Sequence, residues 1–106
     1  MAKFLIQASH SPEGLQALIR DRPAGRREAV IRAVESAGVA VEAVYFSFGA
    51  YDIMVVADLP DNVAAAAVGY TVSASGLEKT TTTPLLTVEE AGRALDHTID
   101  YRPTGG

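Results

Sequence analysis

The stretch YFSFGAYDIMVV (Tyr45–Val56) decides how this chain folds. Two runs rich in Val, Tyr, Phe and Ile flank Gly49-Ala50, so it reads as a β-hairpin. Gly at the first central position suits a two-residue type II′ turn. In that register Phe48 opposes Tyr51, Ser47 opposes Asp52, Phe46 opposes Ile53 and Tyr45 opposes Met54. Opposed residues share a face of the sheet. One face then carries Val44, Phe46, Phe48, Tyr51, Ile53 and Val55. The other carries Val41, Ala43, Tyr45, Ser47, Asp52, Met54 and Val56. A four-residue loop keeps this division, whereas a three-residue loop exchanges the faces.

Outward from the hairpin the pattern alternates between strands and helices. Lys3–Ser9 (KFLIQAS) has period two, with Phe4, Ile6 and Ala8 on one side. Ser11 and Pro12 suit the N-cap and first position of a helix containing Leu15, Leu18 and Ile19. Asp21–Gly25 (DRPAG) interrupts it, because Pro23 lacks an N–H and disfavours helix at Arg22. A second helical stretch, about Arg26–Ala37, has Ala29, Val30, Ala33, Val34 and Ala37 as its apolar stripe and Gly38 as its stop. The hairpin strands are expected over Val39–Phe48 and Tyr51–Ala57.

Asp61 or Asn62 then caps a helix over about Val63–Ser75. That helix is apolar almost all round, which predicts burial on more than one side. Leu77–Leu86 reads as a strand with four consecutive threonines, and Thr87 with Glu90 has capping-box spacing for a last helix. Val88, Ala91, Leu95 and Ile99 fall on one face of it. The expected domain is 1–100, with a patternless tail at 101–106.

The order β-α-β-β-α-β-α predicts an α+β, ferredoxin-like βαββαβ fold. Its antiparallel sheet carries both long helices on one face, and a C-terminal helix is added. A 106-residue chain buries roughly 60–70% of its unfolded surface, enough for a single core. The absence of cysteine excludes disulfides and thiolate chemistry and agrees with a cytoplasmic location. The net charge of −4, with scattered Lys and Arg, argues against nucleic acid. No run reaches the roughly 18–20 apolar residues of a membrane span. The helix-free face would leave Val41, Ala43, Met54 and Val56 in water, a larger patch than monomers tolerate. A homo-oligomer, dimeric or higher, packed through that face is therefore expected.

The segments MAKFLIQASHSPEGL, GRREAVIRAVESAG, YFSFGAYDIMVVADLPDNVAAAA and TTTTPLLTVEEA together resemble the GYD domain family of small bacterial and archaeal proteins. The likeness runs over about Met1–Ala91. The signature residues are Gly49, Tyr51 and Asp52, with Ala50 between Gly and Tyr. Many relatives carry a polar or acidic residue in that spacer and an aromatic one in place of His10. The resemblance implies a ferredoxin-like fold of the dimeric α/β-barrel type. It implies no activity, because proteins of that type include cofactor-independent oxygenases, isomerases, ligand sensors and proteins without known chemistry.

His10, Tyr45, Tyr51 and Asp52 are the candidate ligand-binding residues. Asp52 with Tyr45 and Ser47 offers an acceptor and a donor on the second face; the plainer reading is a carboxylate that caps turn N–H groups. Tyr51 points its hydroxyl into a cavity or pairs with Phe48. His10, at the end of the first strand, can reach the space between helices and sheet and act near neutral pH, or it serves as a loop-entry residue. Arg26 and Arg27 open a helix and offer an anion site or a solvated face. Two histidines without H-x-x-x-H or H-E-x-x-H spacing give no metal site, and no cofactor is expected. The favoured function is a non-enzymatic oligomeric binding or assembly module with a small apolar ligand. The alternative is a cofactor-independent enzyme of the oxygenase or isomerase kind, using His10, Tyr51 or Asp52 as acid–base groups on a small hydrophobic molecule.

Overall fold

The computed structural model describes residues 2–38 and 40–105. Val39, the expected start of the second strand, lies outside the described residues. The elements are β1 (Ala2–His10), α1 (Pro12–Glu35), β2 (Val41–Phe46), β3 (Ile53–Leu59), α2 (Asn62–Ala74), β4 (Glu78–Leu85) and α3 (Val88–Leu95). The strands form one sheet in the order β2-β3-β1-β4, and every neighbouring pair is antiparallel. This is the ferredoxin-like α+β arrangement.

Period-two alternation sends Phe4, Ile6 and Ala8 of β1 and Ile53, Val55, Ala57 and Leu59 of β3 to one side. There they form a buried core with Val34 of α1 and Ala65 and Val68 of α2. Both long helices therefore cover the same face. Ser11 caps α1 by accepting from the Gly14 N–H, and Asp61 caps α2 by accepting from the Ala64 N–H.

The expected break in α1 is present at Arg22, with φ 67° and ψ 156°. Pro23 excludes helical backbone at the preceding residue, and Arg22 takes a conformation that only glycine adopts without strain. Arg22→Gly should therefore stabilise the fold by about 1 kcal/mol, measured as a higher midpoint in urea. A lower midpoint would mean that the backbone there is relaxed.

The hairpin keeps its predicted faces but not its predicted turn. Phe46 pairs with Ile53, Tyr45 with Met54 and Val44 with Val55. Gly49, however, lacks the positive φ that a type II′ turn needs,. The Ser47 N–H donates to the Asp52 carbonyl at 2.8 Å, which makes Phe48–Tyr51 a four-residue loop. Phe48, expected in the core, is fully exposed at its tip. A bulge between Val41 and Ala43 sets Val41 opposite Ala57. Val41 thus joins the helix-covered core rather than the open face, because one extra residue exchanges the sides.

The second correction concerns α2. Only Ala65, Val68 and Gly69 are buried, while Val63 and Tyr70 are each 77% exposed. One face packs on the sheet, and its outer apolar face has no intrachain cover. The Gly69 backbone approaches β4, whose Thr80 hydroxyl donates to the Gly69 carbonyl at 3.3 Å.

The α3 helix has the capping box expected of Thr87 and Glu90. The Thr87 backbone N–H, then its hydroxyl, hold the Glu90 carboxyl below the usual glutamate range. Beyond its cap α3 stands clear of the sheet. A compact chain of this length has a radius of gyration near 13 Å; the observed 16.7 Å and the 56 Å long axis reflect a projecting arm. Val88 and Leu95 on that arm are 93% and 87% exposed.

Candidate functional site

The Gly49–Asp52 loop is tied to the end of β1. The Asp52 N–H donates to the Ala8 carbonyl at 2.8 Å, and the Asp52 carboxylate accepts from the His10 N–H at 2.8 Å. The Ser9 hydroxyl donates to the Ala50 carbonyl, and the Ser47 hydroxyl to the Tyr51 carbonyl. The Asp52 carboxylate thus serves the strand beside it rather than its own turn. Asp52→Ala should cost about 2 kcal/mol, the worth of a hydrogen bond to a charged group. Denaturation should show that loss, and faster exchange of the His10 amide should accompany it. An unchanged midpoint would remove the bond from the stability of the fold.

The strand end held in this way carries the His10 side chain to the helix-covered side. There it meets Glu78, its cross-strand partner at the start of β4. The two side chains are 2% and 6% exposed, and His10 Nδ1 lies 3.0 Å from Glu78 Oε1. That contact lacks hydrogen-bond alignment, so Nδ1 and Nε2 of His10 are both buried without a hydrogen-bond partner. Arg26, from α1 just beyond the break, donates to the same Glu78 oxygen at 3.3 Å. Two ionisable groups from two other elements, His10 of β1 and Arg26 of α1, converge on the Glu78 carboxylate. Buried polar groups are nearly always satisfied, so an orphaned imidazole points to something that completes it.

Glu78, Arg26 and Thr80 form the polar end of a cavity of about 60 Å³ between α1, α2 and the sheet. Ile6, Ala8, Ile53 and Val55 make its floor. A second cavity of about 170 Å³ adjoins it and shares Ala33, Val68 and Val72 with it. The small side chains of Ala29, Ala33 and Ala67 do not fill the space between the facing helices, leaving an apolar groove with one polar end.

Of the four candidate residues, His10 and Asp52 are brought together, joined by a backbone-to-carboxylate bond. Tyr45 lies on the opposite, helix-free face beside Met54 and is 65% exposed. Tyr51 is half-buried in the hairpin loop. Arg26 forms an ion pair instead of leaving its charge at a helix end. Glu78 escaped sequence reasoning. Its signal was present, because alternation with Thr80 and Thr82 puts it on the helix side, where a lone carboxylate needs partners.

A family model described as GYD domain matches residues 4–95. The chain belongs to the GYD domain family. No curated protein and no solved structure matches it. In this GYD domain the signature residue Asp52 binds the backbone of His10, so the signature fixes the strand that carries the buried imidazole.

Proposed function

We propose that this GYD domain is a non-enzymatic oligomeric module. It assembles through the helix-free face of its sheet and holds a small, largely apolar molecule in the groove of each subunit. The observation that carries the assembly is a row across all four strands. Ala43, Val56, Leu5 and Thr83 stand side by side on the open face, and Tyr45, Met54, Gln7 and Thr81 form the next row. Lys3 closes one end of the face by donating to Glu42 and Asp58. Those two carboxylates, Glu42 first, hold the lysine pKa above its ordinary value. A flat apolar centre with a charged border has the anatomy of an interface. An isologous dimer of ferredoxin-like sheets is the dimeric α/β-barrel plan.

The enzyme alternative has less support. Its acid–base residues His10, Tyr51 and Asp52 are not among the residues that line the groove.

Light scattering at micromolar concentration tests the assembly. A mass of twice 11.1 kDa, or a higher multiple, is expected. A monomer mass would sink it.

A further inference from the structure

The groove has a polar end whose chemistry selects its occupant. Arg26 and Glu78 form an ion pair there, so their formal charges cancel. His10 stands behind Glu78, 3.0 Å from its carboxylate, and does not line the groove. The remaining walls are aliphatic, from Ile6 and Ala8 on the floor to Val68 and Val72 on α2.

We infer that this groove binds a small neutral molecule with an apolar body and one hydroxyl group, an alcohol or a phenol, whose hydroxyl meets the Arg26–Glu78 pair at the polar end of the groove. The argument is one of complementarity. A hydroxyl is both donor and acceptor. It accepts from an Arg26 N–H and donates to the Glu78 carboxylate, both of which line the groove. A carboxylate head would face the Glu78 carboxylate, and an ammonium head would face the Arg26 guanidinium; either brings an uncompensated charge into a largely apolar groove. A molecule without a polar head would displace water from the Arg26–Glu78 pair and put no hydrogen-bonding group in its place. The body then lies along the adjoining cavities of about 60 and 170 Å³. An apolar cavity of about 150 Å³ is enough to take benzene.

This inference rests on the ligand-binding half of the proposed function and is independent of the assembly, since every residue named belongs to one chain. The test is a set of titrations of the isotopically labelled protein, followed by amide NMR shifts. The probes are p-cresol, toluene and p-toluate, which share one body and differ in the head. The p-cresol titration should saturate with shifts centred on Ala29, Ala33, Val72 and Thr80. Toluene should bind there at least about tenfold more weakly, and p-toluate more weakly still. The isosteric variant Glu78→Gln should narrow the gap between p-cresol and toluene while leaving toluene itself unchanged.

Equal affinity for p-cresol and toluene would overturn the hydroxyl assignment and leave the groove reading standing. Tightest binding of p-toluate would overturn it in favour of an anion site. Absence of binding by all three at millimolar concentration, or shifts confined to the helix-free face, would overturn the groove reading as well. The unmodified protein alone decides between these outcomes, so a folding defect in the variant does not blunt the test.

Discussion

Gly14→Ala should destabilise the protein by about 3 kcal/mol, although the same change inside a helix ordinarily gains about 1 kcal/mol from helix propensity. Gly14 is buried in the first turn of α1. A Cβ on it would lie 2.1 Å from the Leu77 carbonyl oxygen and 3.1 Å from the carbonyl carbon. These are backbone atoms, which cannot turn aside like a side-chain tip. The same oxygen accepts from the Ser11 N–H at 2.9 Å and from the Ser11 hydroxyl at 3.1 Å. Moving Leu77 away would therefore release the N-cap of α1. It would also shift Glu78, the next residue, away from His10. Urea denaturation measures the first effect, and NMR shifts of the His10 ring report the second. A midpoint equal to or above that of the unmodified protein would show that the helix slides without cost.

The second large effect concerns self-association. Val56→Lys places an ammonium at the centre of the helix-free face, between Ala43 and Leu5. In the monomer the site is half open to water, so the fold should tolerate the change. In the proposed assembly the charge would be buried against apolar side chains. An unpaired buried charge costs about 3 kcal/mol or more, which weakens association by roughly a hundredfold. Sedimentation or light scattering over a concentration series should show a monomer where the unmodified protein self-associates. Circular dichroism should show an unchanged fold. A variant that associates as tightly as the parent would place the contact elsewhere, with the exposed α3 arm and its Val88 and Leu95 the next surface to substitute.

Much of the fold was legible because its signals are local. The β1 alternation, the caps at Ser11, Asp61 and Thr87, and the block at Pro23 each involve residues a few positions apart. Their physics needs no knowledge of the rest of the chain. The faces of the hairpin were legible too, since Phe46 and Ile53 pair in any loop that keeps the parity. The turn itself was not. Gly49-Ala50 is sufficient for a two-residue turn in isolation, but Ala8 and His10 of β1 take the N–H and the carboxylate of Asp52. A strand paired 42 residues away in sequence thereby opens the turn into a loop. Val41 changed sides for a similar reason, through a bulge that no residue type announces.

The candidate site divides along the same line. His10 stood out in the sequence as a titratable residue at a strand end, and Arg26 as a cation at a helix start. Their meeting point, Glu78, lies 68 residues from one and 52 from the other, and a carboxylate among threonines looks like a surface residue. Nothing local marks Gly14 either, and only the fold brings the Leu77 carbonyl against it. Local propensity and periodicity determined the elements, their order and the covered side of the sheet. The tertiary structure alone decided that Asp52 serves β1, that Gly14 must lack a side chain and that Glu78 gathers His10 and Arg26. The physical reason is that burial, steric contact and ion pairing act through space, between residues whose separation along the chain carries no signal.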